Sequence, residues 1–244
     1  MPAASISPDL MQIHIPDFAW SPYGLIVVLS VVIGFAAAIL LMRKFKVQKE
    51  TILYTCILTF VCTIAISLFA AFRLDENGMQ IGFSGLGAVV GMVIGLFISA
   101  LIIKDKPDIV MASFICTAPL MYGLAKAGCL LAGCCHGKPY SGPFALIYHN
   151  SAEESFFPAQ IIDMAVFITV YIISLNLVLR MKNKVRAIYI IIAILIPVRF
   201  VLEYLRHYHD GSLIASGQIT VLIAGAAALV VITIWKAVLK ISCR

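Results

Sequence analysis

With 244 residues, 62% of them hydrophobic and only 12% charged, and with a strongly positive mean hydropathy, the chain is not a soluble globular domain. It reads as one polytopic membrane domain with no room for a separate soluble module. The formal net charge of +6 does not imply nucleic acid, because the basic residues are distributed as membrane topology requires.

Residues 1–20 are polar to amphipathic and carry Pro8, Pro16 and Trp20. They are expected to form an extracytoplasmic arm on the membrane surface, with His14 at that surface. No Lys or Arg precedes Arg43, so a cleavable leader with a positive start is not expected. Residues 21–244 hold seven apolar segments, at about 22–42, 51–72, 82–103, 109–133, 158–179, 187–206 and 215–235. Each is long enough to cross a bilayer as a helix, which predicts an all-α protein of seven transmembrane helices. With the N-terminus outside, thirteen of the eighteen Lys and Arg fall on the inner side, in the connections after spans one, three and five and after span seven. That bias predicts an extracytoplasmic N-terminus and a cytoplasmic C-terminus, and places the unusual polar groups toward the outer leaflet.

Span one opens with Pro22-Tyr23-Gly24-Leu25, where Tyr23 is either a boundary anchor or a site residue. In span three, Gly87, Gly91 and Gly95 recur every four residues, a spacing that lets helix backbones approach closely. Span four closes on Gly123-Leu-Ala-Lys126-Ala-Gly128-Cys129-Leu-Leu-Ala-Gly133-Cys134-Cys135-His136-Gly137. Lys126 either reaches outward to the headgroups or faces a polar cavity. Cys129, Cys134, Cys135 and His136 admit small-residue packing, a nucleophilic thiol with His136 as base, or zinc. The cysteines lack a Cys-x2-Cys pair, so no metal site is expected. Cys56, Cys62 and Cys116 lie in apolar runs and read as core residues.

The loop 137–157 is the longest outer loop and is expected to cover the site. Gln160 and Asp163 follow, one turn apart at the start of span five, facing the bundle. Span six ends in Arg199-Phe-Val-Leu-Glu203-Tyr-Leu-Arg206, and a helix continuing to Asp210 would place 199, 203, 206 and 210 on one face. A charge within hydrocarbon costs at least about 2.5–3.5 kcal/mol on insertion scales, which alternating signs partly offset. Arg206, near the boundary, is expected to reach up to the headgroups, and Arg199 to face an internal cavity. A guanidinium there suits a phosphate, because its planar fork offers paired donors and keeps its charge. Gln218 opens span seven as another inward polar group.

Together these pieces resemble the prolipoprotein diacylglyceryl transferase family. The resemblance covers most of the chain and rests on Tyr23-Gly24-Leu25, the Gly-rich third span, the Gly-rich close of span four, Pro158-x-Gln160, Arg199-Phe200-x-x-Glu203-x-x-Arg206 and Gly217-Gln218. It implies a seven-span enzyme of the bacterial plasma membrane with an outward-facing site. Its reaction moves the diacylglyceryl group of phosphatidylglycerol onto the lipobox cysteine thiol of secreted prolipoprotein precursors and releases glycerol phosphate. The implied partners are those precursors, phosphatidylglycerol and the surrounding membrane lipids, with no nucleic acid and no cofactor.

The departures are specific. In the family's Gly-Arg-x-Gly-Asn-Phe-x-Asn-x-Glu-x-x-Gly motif, Lys126 stands at the Arg, Cys129 and Ala132 at the two Asn and Cys134 at the Glu, while Gly128 and Gly137 match. Leu86 replaces a histidine proposed as base, Phe157 replaces the His of His-Pro-x-Gln, and Asp163 replaces a Glu. The resemblance therefore implies a cationic clamp of Arg199 and Lys126 held by Glu203, with His136 the remaining candidate base. Tyr23, Arg206, Gln160, Gln218, Gly128, Gly137, Cys129 and Cys134 would line the substrate site. A paralogue with another lipid reaction or acceptor, in which Cys134 or Cys129 carries an acyl group, and a non-catalytic lipid-binding protein stay as alternatives.

Overall fold

The computed structural model describes residues 12–16, 22–75, 78–80, 85–148, 154–207 and 214–239. Within them the chain runs β1 (Ile13–Ile15), α1 (Tyr23–Lys44), α2 (Lys49–Ala71), β2 (Arg73–Asp75), β3 (Gly78–Gln80), α3 (Gly85–Ile102), α4 (Pro107–Leu131), β4 (Leu146–Tyr148), β5 (Ser155–Phe156), α5 (Ala159–Arg180), α6 (Lys184–Glu203) and α7 (Ser216–Val238). All seven expected helices are present. Among the described residues, six are long and apolar enough to cross a membrane, and α3, at 18 residues, is the shortest of the seven helices.

Helix α4 is the least apolar of the six long helices and the most buried. The inversion has a physical cause. Lipid tails solvate leucine as well as a protein interior does, so burial in a bilayer follows close packing and polar satisfaction rather than hydropathy. Ser113 and Thr117 lie fully buried on α4, and their hydroxyls donate back to Ile109 O at 2.8 Å and Ser113 O at 3.1 Å. Helices α1, α5 and α6 pack around α4. Large apolar side chains such as Leu25, Val32, Leu53 and Ile223 remain exposed on the outer faces, as lipid contact requires. The Gly87/Gly91/Gly95 stripe does what its spacing predicts. Side chains there would run into the α2 backbone at Ser67, Thr63 and Thr59, so α2 and α3 lie against each other backbone to backbone.

The main apolar core is not central. It gathers Ala38, Met42, Met111, Phe114, Ile188, Ile191 and Trp235, which lie toward one end of the bundle. The opposite end carries a small three-stranded sheet that an all-helical reading does not anticipate. In it β1 runs parallel to β4 in the register Ile13↔Leu146, and β5 pairs antiparallel with β4. The Ile-His-Ile alternation suits a strand: Ile15 is buried with Leu146, Tyr148 and Phe156, and His14 is exposed. Within the first twenty residues, the described stretch 12–16 contains a strand of this sheet.

Candidate active site

The site begins where α4 ends. Gly133, at φ +64, is the left-handed residue just past the helix, a conformation that favours glycine. Cys134 N–H donates to Cys129 O at 3.1 Å and Gly133 N–H to Leu130 O at 3.4 Å. This pair of bonds is a Schellman closure, which folds the residue after the glycine back over the last helical turn. It carries Cys134 onto Cys129. A second left-handed residue, Cys135 at φ +57, turns the chain again. The Sγ atoms of Cys129, Cys134 and Cys135 consequently all lie within 4.8 Å of one another. The missing Cys-x2-Cys pair argued against a metal site, not against a cluster, and the helix cap is what gathers the thiols. The thiols of Cys129 and Cys134 donate toward Cys135 and, with Lys126 and Arg206 nearby, hold its thiol well below the usual range. The same exchange, together with burial, pushes Cys134 up.

Two side chains brace this turn. Gln160 Nε2 donates to Cys134 O at 2.9 Å and to Tyr148 Oη at 2.8 Å, tying α5 and the sheet to it. Arg206 donates to Cys135 O and, through its other terminal nitrogen, to Asp163 Oδ2. Asp163 also faces Lys126, with Nζ 3.5 Å from Oδ2. Asp163, Arg206 and Lys126 are 0%, 1% and 6% exposed, so one buried carboxylate serves two buried cations.

Arg206 corrects two expectations. Helix α6 stops at Glu203, and the chain turns through Tyr204 and Leu205 so that Arg206 makes a β-bridge to Gly137. Arg199, Glu203 and Arg206 therefore do not share one helical face, and Asp210 lies outside the described residues. Nor does Arg206 reach up to headgroups, because leaving the helix turns it inward to Asp163. Gly137 permits the crossing: a Cβ there would meet Phe157 O at 2.5 Å and Leu205 O at 3.1 Å.

Arg199 does pair with Glu203 across one helical turn, NH1 to Oε2 at 2.7 Å. Its side chain is 25% exposed against 2% for Glu203. Glu203 also abuts Gly217 in the first turn of α7, where the helix dipole favours a carboxylate. Both cations meet on one aromatic ring: Lys126 Nζ stands 4.8 Å and Arg199 Cζ 5.9 Å from the centroid of Tyr122.

A family model described as prolipoprotein diacylglyceryl transferase matches residues 10–237. The chain belongs to the prolipoprotein diacylglyceryl transferase family. It is 29% identical over 142 residues to a protein of Clostridium perfringens named phosphatidylglycerol–prolipoprotein diacylglyceryl transferase 2, a match covering 54% of this chain and 53% of that one. The chain thus spans about half the length of that relative. Apolar membrane-crossing helices and membership of the diacylglyceryl transferase family point to a bacterial inner-membrane protein.

The remaining candidates from the family motifs fall as follows. Tyr23, the first residue of α1, packs on Gly128, where a Cβ would meet its ring and carbonyl at 3.3 Å, and its phenol lies within electrostatic range of the three cysteines. Gln218 is fully buried, and its Oε1 accepts from Ala215 N at 2.7 Å, closing the start of α7. The His136 ring stacks with Phe156 and His207 at centroid distances of 4.1 and 4.9 Å, and it is not part of the thiol group. The side chain of Leu86 lies outside the described residues. Sequence reasoning singled out Cys135 and Asp163 without assigning either to the site, and it passed over Tyr122 and Tyr148. Two of these carried a signal: Asp163 is an acid in the first turn of a span, and Tyr122 lies four residues before Lys126 on the same helix. Tyr148 carried none, because only the sheet brings it to Gln160.

Proposed function

We propose that this chain moves the diacylglyceryl group of phosphatidylglycerol to the lipobox cysteine thiol of secreted prolipoproteins, releasing glycerol phosphate. The reading places the N-terminus outside, the C-terminus in the cytoplasm and the site at the extracytoplasmic end of the bundle, as the distribution of Lys and Arg favours. The observation that carries it is the pair of cations over Tyr122. Lys126 is buried with its nearest carboxylate oxygen 3.5 Å away, and Arg199 is part-exposed beside it on the same ring. A lipid phosphodiester drawn between them would meet a fixed ammonium and a guanidinium fork.

In the reaction the acceptor thiol gives its proton to water, and its sulfur attacks the diacylglyceryl carbon next to the phosphate. A carbon–sulfur bond forms, the carbon–oxygen bond breaks, and the electron pair leaves with glycerol phosphate. Cations held where that negative charge grows lower the barrier most. Glu203 orients Arg199, and Asp163 orients Lys126 and Arg206. Arg206 and Gln160 position the turn that carries the cysteines. The relative's name supports the substrate pair.

The test is purified protein in vesicles with labelled phosphatidylglycerol and a lipobox peptide. Thioether-linked peptide and free glycerol phosphate are expected from the wild type, and neither from Arg199→Ala. Absence of product from correctly inserted wild-type protein would overturn the reading.

A further inference from the structure

Nothing in the transfer reaction explains why three thiols converge on one point within reach of Lys126 and Arg206. We propose that Cys129, Cys134 and Cys135 form a zinc site, with three thiolate ligands from the protein and a fourth position left for an outside ligand.

The geometry is built rather than incidental. Zinc holds thiolates at about 2.3 Å in a tetrahedron, which sets the sulfurs roughly 3.8 Å apart. The three Sγ atoms already lie within 4.8 Å of one another, so closing on an ion needs shifts of about 1 Å or less, within reach of side-chain rotation. The backbone beneath them is held on every side. The Schellman bonds fix Cys134 over Cys129, Gln160 holds the Cys134 carbonyl, and Arg206 holds the Cys135 carbonyl. These braces come from α4, α5 and the segment after α6, so the thiols are positioned by tertiary structure and not by a flexible loop.

Charge and access agree with this. Zn²⁺ with three thiolates carries one net negative charge, and Lys126 and Arg206 both lie within electrostatic reach of Cys135 to offset it. Soft sulfur ligands without carboxylate oxygens select zinc over magnesium or calcium. Cys129 is buried, Cys134 half-buried and Cys135 exposed, so the group has one covered and one open side. Three protein ligands with an open fourth position is the pattern of a reactive zinc site rather than a closed structural one.

The identity of the fourth ligand rests on the transferase reading. The acceptor thiol would bind there as thiolate, giving its proton to water on ligation and keeping its sulfur lone pair for the glycerol carbon. That would supply the acceptor activation that no histidine provides at Leu86.

The deciding experiment uses the full-length protein in detergent, reduced with a phosphine, stripped with chelator and titrated with Co²⁺ as the probe. One Co²⁺ per chain, with a thiolate-to-cobalt charge-transfer band and intense tetrahedral visible bands displaced by Zn²⁺, is expected. Cys129→Ala, Cys134→Ala and Cys135→Ala should each weaken binding at least about tenfold. Cys56→Ala, on α2 and away from the group, should not. Adding a lipobox peptide should shift the visible bands, and a Cys→Ser peptide should not. Helical, reduced protein without the charge-transfer band, or a triple Cys→Ala variant that binds as the wild type does, would overturn the zinc site. The two readings fail separately. Cobalt bands with no transfer to any lipobox peptide would leave the metal site and remove the transferase, whereas transfer without cobalt bands would do the reverse.

Discussion

The two ends of the helix bundle bury a lysine to nearly the same depth and satisfy it in opposite ways. Lys184 is 7% exposed and Lys126 6%. Lys184 Nζ donates to Val178 O at 2.6 Å and Met181 O at 2.7 Å, and stands 4.2 Å from the Phe45 ring. Those carbonyls close the C-terminus of α5, where a helix dipole favours a cation and short bonds fix it. Lys106 does the same at the end of α1, donating to Phe45 O at 3.0 Å and Lys46 O at 2.7 Å. Lys126 faces a carboxylate at 3.5 Å and shares it with Arg206. The apolar core lies at the Lys184 end. Among the described residues, Asp163 Oδ1, Gln160 Oε1 and Arg206 Nε at the Lys126 end and Trp235 Nε1 at the Lys184 end are buried without a hydrogen-bond partner. One end satisfies its buried lysine with backbone carbonyls at a helix terminus; the other satisfies its own with a carboxylate shared between two cations.

The largest expected change comes from removing the shared carboxylate. Asp163→Asn leaves Arg206 and Lys126 as two buried cations without a counter-charge and should cost about 3–5 kcal/mol of stability, read by thermal unfolding in detergent. A near-wild-type melting temperature would mean that water, not protein, neutralises them. Lys126→Met sharpens the contrast, because Asp163 keeps Arg206. Transfer should fall by about 10²–10³ while unfolding moves by less than it does for Asp163→Asn. Gly137→Ala drives a methyl group against the Phe157 and Leu205 carbonyls, and should cost about 1–3 kcal/mol and loosen the Arg206 bridge. Lys184→Met gives the smallest effect on transfer, none per folded molecule, while costing about 1.5 kcal/mol in unfolding, which would separate a holding lysine from one proposed to bind. Equal loss of transfer from Lys126→Met and Lys184→Met would erase the distinction between the ends.

How much of this was legible beforehand depends on the range of each interaction. The helices and the glycine stripe against α2 follow from local length and spacing, so they were readable within a few residues. The Arg199–Glu203 pair was readable for the same reason, being one helical turn apart. Arg206 was misplaced because nothing local announces that α6 stops at Glu203; a bridge to Gly137, some seventy residues away in the chain, ends it. Asp163 was noticed as an inward acid, but its two cations come from α4 and the segment after α6. The cysteines were read as a cluster, but their convergence was not legible, because it depends on a Schellman turn that brings Cys134 back over Cys129.

The sequence by itself determined that this is a helical membrane protein of the diacylglyceryl transferase family, since hydrophobic run length and ordered motifs are one-dimensional properties. Only the tertiary structure decided which cation each carboxylate serves, which arginine is sealed and which is open, and that three cysteines face one another. Those outcomes depend on where helices stop and which segments cross, and a buried charge takes whatever partner the crossing brings within reach.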